Sequence, residues 1–247
     1  MANNLKILSN PEKFKQKEQL YLSLRKKEGR FYTDDFLAKI PYQGNSHPLA
    51  KEWKVRASSA ESMCQYLLDK SKALNLLDLG CGNGWLANFV SKTGAEITAM
   101  DLNLEELKMG ARVFSANEKV QFIYGDVFED ILPEQYFDIV MCASSIQYFV
   151  DLKVLIERLF RFLKPGGEIH IIDSPVYQEN ETEQAKKRSL RYFSEAGFSD
   201  MIKYYYHHSW NELTGFNYTL RKGPKLRKLM AKLSGMPNFP WIIIHKD

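Results

Sequence analysis

Cysteine is scarce in this sequence. Among 247 residues there are three, Cys64, Cys81 and Cys142, and all three fall in segments with the apolar pattern of a core. An odd and small number of cysteines does not build a disulfide framework, and buried thiols behave as small apolar side chains. These residues therefore predict a reduced protein, and we expect a cytoplasmic one.

A strong excess of one charge sign is also lacking. The sequence has 34 Lys and Arg against 30 Asp and Glu, a formal net charge of +4, which falls short of the basic footprint of a nucleic-acid-binding domain. Basic residues cluster at 186–191 and 221–228, and such runs are typical of solvated helix faces. A nucleic-acid partner is therefore not expected.

Long apolar runs are absent as well. No run approaches the roughly 20 residues that a membrane-spanning helix needs, and the first residues, Met-Ala-Asn-Asn-Leu-Lys, lack the apolar centre of a signal peptide. No cluster of Cys and His indicates zinc, and we expect no metal site.

With 45% hydrophobic residues, the chain can form one α/β domain with an appended cap. Its oligomeric state stays open, a homodimer included.

The N-terminal part differs in pattern from the rest of the chain. Residues 11–28 are rich in Lys, Glu, Gln and Leu and predict a surface helix. Residues 31–57 combine aromatic side chains with Pro and Gly, as in an irregular lid. Ser58 and Glu61 fit a capping box, which predicts that the next helix begins at Ser58.

From there on, short apolar strands alternate with amphipathic helices. The predicted strands are 76–79, 96–100, 120–124, 139–143, 168–172, 201–207 and 240–245. Continuous apolar strands between amphipathic helices indicate a parallel sheet that is covered on both faces. We therefore divide the chain into a helical lid segment, residues 1–57, and a main domain, residues 58–247.

The most informative stretch is Leu-Leu-Asp-Leu-Gly-Cys-Gly-Asn-Gly at residues 76–84. A buried strand runs into a turn with three glycines, which lack Cβ and let the backbone approach a ligand. Asp101 closes the next strand about 20 residues later, where doubly wound sheets bind a nucleoside ribose. A dinucleotide fingerprint would need a glycine in place of Trp85, and Asp101 would repel a 2′-phosphate. The pattern favours a different nucleoside ligand.

The glycine turn resembles the first motif of the class I S-adenosylmethionine-dependent methyltransferases, in particular the type 11-like members that act on small molecules. The resemblance continues through Gly-Asp-Val at 125–127, Phe-Asp-Ile-Val at 137–140, Cys-Ala-Ser-Ser at 142–145 and Leu-Lys-Pro-Gly-Gly at 163–167. It implies a Rossmann-like, seven-stranded, mostly parallel sheet with an antiparallel last strand, helices on both faces and an N-terminal helical lid. The segment at 163–167 is expected to be a turn.

The resemblance also implies a cofactor site at the carboxyl ends of the strands. The glycine turn would receive the amino-acid end of S-adenosylmethionine, Asp78 would help to hold its amine, and Asp101 would accept hydrogen bonds from the ribose hydroxyls. Asp126 would accept from the adenine amine, and Val127 would donate its backbone N–H. The implied cofactor-binding residues are Asp78, Gly80, Cys81, Gly82, Asn83, Gly84, Asp101, Leu102, Asp126, Val127, Ala143, Ser144 and Ser145.

Methyl transfer from a sulfonium is an in-line displacement with a neutral leaving group. It needs alignment first, and a proton acceptor only when the nucleophile must lose a proton, so we name no catalytic base. Side chains near the ends of the fourth and fifth strands should face the acceptor. The candidates for this surface are Tyr148, Asp173 and Tyr177. His207 is a candidate base by residue type alone, and Arg56 or Trp53 would close over the methionine end.

These features predict a methyltransferase that acts on a small organic acceptor and releases S-adenosylhomocysteine. The segment at 142–145 lacks the Asn-Pro-Pro-Tyr pattern of amino-directed DNA methyltransferases. It also lacks the Pro-Cys nucleophile of cytosine-C5 enzymes, because Met141 precedes Cys142. Two alternatives stay open: an RNA or protein methyltransferase that uses the basic clusters, and a protein that binds the nucleoside without turnover.

Overall fold

A computed structural model describes residues 4–42, 47–70, 73–221 and 239–247. Strands occupy β1 (Leu5–Ile7), β2 (Asn75–Leu79), β3 (Glu96–Asp101), β4 (Val120–Tyr124), β5 (Phe137–Ala143), β6 (Leu163–Ile172), β7 (Tyr218–Arg221) and β8 (Trp241–His245). The α-helices are α1 (Lys15–Lys27), α2 (Asp34–Leu37), α3 (Ala50–Leu68), α4 (Trp85–Val90), α5 (Leu104–Val113), α6 (Leu152–Phe162) and α7 (Thr182–Glu195). Short 3-10 helices lie at Pro11–Lys13, Ser91–Thr93, Ile146–Tyr148, Glu179–Glu181, Ser199–Tyr204 and Trp210–Leu213. None of the helices in these ranges is both long enough and apolar enough to cross a bilayer.

The described strands form one sheet in the order β1-β4-β3-β2-β5-β6-β8-β7. Neighbouring strands from β1 to β6 pair in parallel, and β8 is antiparallel to both β6 and β7. The prediction of a mostly parallel sheet with an antiparallel last strand is confirmed. The described part of the sheet has one strand more than predicted, since β1 pairs with the outer edge of β4. Strand order reverses between β2 and β5, which is where open α/β sheets bind ligands.

Alternate side chains of the central strands enter two separate cores. On β2, Leu76 packs on the side of α3, α4 and α5, whereas Leu77 packs on the side of α6. This alternation follows from the two-residue period of a strand. On the α6 side, the buried stripe of the helix consists of Leu152, Leu155, Ile156, Leu159 and Phe162. Both faces of the sheet are therefore covered by helices.

The predicted helix start at Ser58 is wrong. Helix α3 begins at Ala50 and has no side-chain cap at Leu49, and it runs without a break across the boundary between residues 57 and 58. Ser58 lies inside it, where its carbonyl accepts from the Ser62 hydroxyl. The buried stripe begins at Ala50 and continues with Trp53, Ala57 and Ala60. Packing of this longer stripe outweighs the local capping pattern.

The predicted strand at 201–207 is also wrong. Ser199–Tyr204 forms a 3-10 helix, and β8 pairs instead with β7 on the edge that faces away from β6. Met201 turns away from the sheet and packs with Leu24 and Phe193 in a third apolar cluster, which anchors this segment to α1 and α7. The basic cluster at 221–228, where the sequence also predicts a helix at about 223–233, lies outside the described residues except for Arg221.

The segment at 163–167 is not a separate turn. It forms the first part of β6, and the pairing of β6 with β5 shifts register between Phe137 and Ile139. Gly166 has a φ of 70°. The Pro-Gly-Gly pattern that led to the expectation of a turn therefore corresponds to an irregularity within the strand.

Two glycines with left-handed backbone allow the cost of backbone strain to be measured apart from the cost of a steric clash. Gly84 has a φ of 71°, and a Cβ there would lie 2.2 Å from the ring of Phe122, whereas Gly29 has a φ of 67° with nothing within 4 Å. We expect Gly29→Ala to lower the free energy of unfolding by about 1–2 kcal/mol through strain alone. Gly84→Ala should lower it clearly more. Urea denaturation of both variants measures the difference, and equal losses would contradict the contact with Phe122.

Candidate functional site

The glycine turn is held at the carboxyl ends of β2 and β3. The backbone N–H groups of Gly80 and Cys81 donate to the carbonyl of Met100 at 2.8 and 3.1 Å. A Cβ on Gly80 would lie 2.4 Å from the Cβ of Ser145, so the turn also packs closely against the segment that follows β5. The predicted turn therefore lies at the point where strand order reverses.

Asp101 connects this turn to the next helix. Its Oδ2 accepts from the Gly82 N–H at 2.7 Å, and its Oδ1 accepts from the Asn103 N–H at 2.8 Å. Burial raises the pKa of Asp101, and the backbone donors oppose this effect. Asn103 caps α5, because its side chain accepts from the Glu106 N–H. Asp101 thus has a structural role as well as a position suited to a ribose.

A first cavity of about 260 Å³ opens beside Asp101. Eight of the predicted site residues line it: Gly80, Asp101, Leu102, Asp126, Val127, Ser144, Ser145 and Tyr148. Asp126 follows β4, and its backbone N–H donates to the Ser9 hydroxyl at 2.8 Å. The structure therefore brings the ends of β2, β3, β4 and β5 together around one space.

Helix α1 forms part of the wall of this cavity. The prediction of residues 11–28 as a surface helix did not include this role. Lys17, Glu18 and Tyr21 line the cavity, and the Glu18 carboxylate accepts from the Leu104 N–H at 2.6 Å. Burial lowers the pKa of Lys17, although the charges of Asp101 and Asp126 raise it. The signal in the sequence was an apolar face within a polar helix, which includes Tyr21 and Leu24.

A second, larger cavity of about 580 Å³ meets the first at Tyr21, Gly80, Ser144 and Tyr148. It collects further predicted residues: Cys81, Gly82, Asn83, Ala143, Asp173, Tyr177 and Arg56. Its wall is aromatic, with Tyr32, Trp53, Trp85, Tyr192, Phe193, Tyr205 and Phe239. Within the described residues, its charged groups are Arg25, Arg30, Arg56 and Arg188 with Glu28, Glu52, Glu106 and Asp173. Positive and negative charges are thus equal in number on this wall.

Asp78 lies in a small pocket that adjoins the second cavity through Gly80, Cys81 and Ala143. Its side chain is buried, and its Oδ2 has no hydrogen-bond partner. Burial raises the pKa of Asp78 to about 7, and the charge of Asp101 adds to the shift. A buried carboxylate without a partner is costly, so this group is suited to a ligand with an ammonium group.

The remaining predicted residues lie elsewhere. Gly84 starts α4 and packs on Phe122, and it is not among the residues that line these cavities. His207 is also not on their lining; it pairs with the Ser189 hydroxyl at 2.8 Å and packs on the rings of Tyr177 and Tyr205. In the part of the chain that the structure describes, no group of His, Cys, Asp or Glu could hold a metal ion.

Comparison with known proteins links this arrangement to one class of domain. A protein-family profile described as a methyltransferase domain matches residues 77–171. The ubiquinone biosynthesis O-methyltransferase of Idiomarina loihiensis is 32% identical over 129 residues, which cover 51% of each chain. The malonyl-[acyl-carrier protein] O-methyltransferase of Priestia megaterium is 28% identical over 133 residues, which cover 51% of this chain and 47% of that protein. The chain thus spans about half the length of these curated relatives.

A solved structure agrees over a longer part of the chain. Geranyl diphosphate C-methyltransferase from Streptomyces coelicolor, in complex with Mg²⁺, geranyl-S-thiolodiphosphate and S-adenosyl-L-homocysteine, superposes with a TM-score of 0.60. The alignment covers 95% of this chain and 96% of that chain at 15% sequence identity. At this identity the likeness shows the fold.

Asp78 predicts a pH-dependent stability. Its pKa of about 7 in the folded protein exceeds the value of about 3.9 in an unfolded chain. The stabilisation by its bound proton is therefore complete below about pH 4 and is lost as the pH rises through 7. Without added ligand, we expect Asp78→Asn to raise the melting temperature by several degrees at pH 8 and by much less at pH 5.

The matched control for this measurement is Asp69→Asn, which changes an exposed carboxylate at the end of α3. This substitution should give the same small shift in melting temperature at both pH values. A gain for Asp78→Asn that does not depend on pH would contradict the raised pKa.

Proposed function

We propose that this chain is a class I S-adenosylmethionine-dependent methyltransferase that transfers the methyl group of S-adenosylmethionine to a small organic acceptor. The match of residues 77–171 to a methyltransferase-domain profile supports this proposal. The observation that carries this proposal is the meeting of two cavities at Gly80, Ser144 and Tyr148. The first has the acidic and backbone groups that suit a nucleoside, and the second has an aromatic wall that suits a small molecule.

The residues around the first cavity fit the adenosine part of the cofactor. Each oxygen of Asp101 accepts one backbone N–H and keeps a second acceptor site, so the carboxylate can still receive the two ribose hydroxyls. Asp126 and Val127 line this cavity; in the proposal Asp126 would accept from the adenine amine and the backbone N–H of Val127 would donate to the base. Asp78, whose Oδ2 is buried without a partner, would hold the ammonium of the methionine end. S-adenosylmethionine supplies an electrophilic methyl group when bound.

Residues shared by the two cavities would align the reacting groups. Ser144 and Tyr148 line both spaces, so they would flank the path from the sulfonium to the acceptor. Burial raises the pKa of Tyr148 to about 12. Its phenol therefore stays neutral near pH 7 and serves as a hydrogen-bond donor rather than a base. Alignment and exclusion of water by the aromatic wall are then the main contributions of the protein.

A small-molecule acceptor accounts for the charges of the second cavity better than a polyanion does. Both terminal nitrogens of Arg30 donate to Glu52 at 2.6 Å, and Nε of Arg56 donates to the same carboxylate at 2.9 Å. These two guanidinium groups are therefore paired within the protein. The proposal keeps the expected cytoplasmic location. Burial raises the pKa of the Cys142 thiol to about 12, so this residue is not a nucleophile of the reaction.

Binding of S-adenosylhomocysteine tests the cofactor assignment. We expect calorimetry to detect binding to the wild-type protein, and Asp101→Asn to weaken it by roughly 10- to 100-fold through loss of charge-assisted hydrogen bonds. The control Glu105→Gln changes an exposed carboxylate on α5, near Asp101 in the chain, and should bind normally. Transfer of a labelled methyl group to a metabolite fraction then tests turnover. A wild-type protein without affinity for either form of the cofactor would overturn the proposal.

The lid role of α1 can be tested at Leu24. This side chain is buried in the third apolar cluster with Phe193 and Met201, apart from the two cores of the sheet. We expect Leu24→Ala to open α1 locally, to weaken S-adenosylhomocysteine binding about tenfold and to speed tryptic cleavage after Arg25, Lys26 and Lys27. Leu68→Ala, at a site that is 56% exposed, is the control. Unchanged affinity and cleavage in Leu24→Ala would show that α1 does not act as a lid.

A further inference from the structure

The second cavity contains polar atoms that the protein itself does not satisfy. Among the described residues that line it, three have a buried side-chain atom without a hydrogen-bond partner: Nε of Arg25, Nε1 of Trp53 and Oε1 of Gln147. Native proteins leave few such atoms unpaired, and each one calls for an explanation. The residues that line this cavity thus carry two unpaired donors and one unpaired acceptor, a set that is complementary to a ligand with an anionic group and a separate N–H or O–H.

Arg25 differs from the neighbouring arginines in its pairing. Its nearest carboxylate is Glu106, with 3.8 Å between Nη2 and Oε1, which is too long for a hydrogen bond. Arg30 and Arg56, in contrast, both donate to Glu52 at 2.9 Å or less. The guanidinium of Arg25 also lies 5.8 Å from the centre of the Tyr21 ring. Arg25 therefore keeps donors that are free to bind a ligand.

Glu106 only partly neutralises Arg25. Burial raises the pKa of Glu106 to about 7, although the charge of Arg25 lowers it and the charge of Asp101 raises it further. A considerable fraction of this carboxyl group is thus protonated near neutral pH. The positive charge of Arg25 then remains available to an anion.

Trp53 offers a second donor in a fixed orientation. Its side chain is 4% exposed. Its ring packs edge-on against Trp85 at 5.1 Å and at a tilt against Tyr32 at 5.8 Å between ring centres. Tyr32 in turn lies close enough to Arg25 for the two groups to interact electrostatically. Trp53 and Arg25 therefore line the same cavity, with Tyr32 as a neighbour of both.

We propose that Arg25 and Trp53 form a carboxylate subsite, and that the methyl acceptor is a small aromatic carboxylic acid with an O–H or N–H that donates to Gln147. This inference rests on the proposed methyltransferase function and names the class of its substrate. A planar carboxylate accepts from a guanidinium and an indole N–H together, and the tyrosine-rich wall suits an aromatic ring. Gln147 lies beside Tyr148, where the two cavities meet.

A carboxylate at this position has two chemical sources, the acceptor and the methionine end of the cofactor. Gly82 and Asn83 of the glycine turn also line the second cavity, so the cofactor extends towards it. We assign the carboxylate to the acceptor because a cavity of about 580 Å³ is larger than the methionine chain alone requires. The aromatic side chains also surround space beyond the part that the methionine chain of the cofactor would fill.

The test compares acids with their neutral amides in protein saturated with S-adenosylhomocysteine. The probes are 4-hydroxyphenylacetate against 4-hydroxyphenylacetamide, and benzoate against benzamide, with calorimetry as the readout. We expect the wild-type protein to bind the acids about tenfold more tightly than the amides. Arg25→Gln should abolish this preference. Trp53→Phe, which keeps the ring and removes the N–H, should reduce it several-fold.

Two substitutions serve as matched controls. Lys26→Gln removes an exposed charge next to Arg25 on α1, and Trp210→Phe makes the same change as Trp53→Phe outside the cavity. Both should keep the wild-type preference for acids. If Arg25→Gln does not fold, as judged by circular dichroism, Trp53→Phe and its control still test the subsite.

Three results distinguish the possible failures. Equal binding of acids and amides by the wild-type protein would overturn the subsite and leave the methyltransferase proposal standing. If Arg25→Gln instead weakens S-adenosylhomocysteine at least tenfold and keeps the preference for acids, the carboxylate belongs to the cofactor and the acceptor assignment is wrong. A wild-type protein that does not bind S-adenosylhomocysteine would contradict the proposed function itself.

Discussion

The site depends on the carboxylate of Asp101. One of its oxygens accepts from the Gly82 N–H and the other from the Asn103 N–H, so a single side chain fixes both the glycine turn and the start of α5. Loss of either bond would leave a buried charge with fewer donors, which is costly in a low-dielectric interior. The position of the glycine turn also determines where the two cavities meet, because Gly80 lines both of them.

Several buried groups of the site are poorly satisfied by the protein alone. Asp78 and Glu106 have pKa values raised to about 7 by burial, and Nε of Arg25 has no acceptor. Such groups lower the stability of the ligand-free fold, and ligands with complementary charges would recover that free energy on binding. This arrangement is typical of functional sites, where perturbed pKa values and unpaired polar atoms occur together in a cleft. The two hydrophobic cores on the faces of the sheet offset the loss of stability that these unsatisfied groups cause.

The N-terminal segment completes the site from a distant part of the sequence. Strand β1 adds to the edge of β4, and Ser9 accepts from the Asp126 N–H. Helix α1 then crosses the cavity and caps α5 through Glu18. The third apolar cluster joins this helix to α7 and to the segment around Met201. Elements that bind ligands are often held by such small, separate clusters, because they must open without unfolding the core.

The central part of the fold was predictable from local pattern. The apolar strands β2 to β6, the glycine turn and the cap at Asn103 all have signatures that act over a few residues. Their physical causes, a two-residue side-chain period, the lack of a Cβ and an Asn side chain that accepts a backbone N–H, are themselves local. The placement of Asp101 and Asp126 at one edge followed from the parallel sheet. The precise start of α3 did not, because packing from Trp53 onwards outweighed the capping pattern at Ser58.

The amino-acid sequence by itself determined the parallel sheet, the turn at 80–84 and the acidic residues at the strand ends. Only the tertiary structure decided that α1 covers the first cavity and that Met201 packs in a separate apolar cluster instead of in the sheet. It also decided that Arg25, Trp53 and Gln147 line one cavity. These outcomes depend on contacts between residues far apart in the chain. Hydrophobic periodicity shows which face of a helix is buried, but it does not show which surface will cover that face.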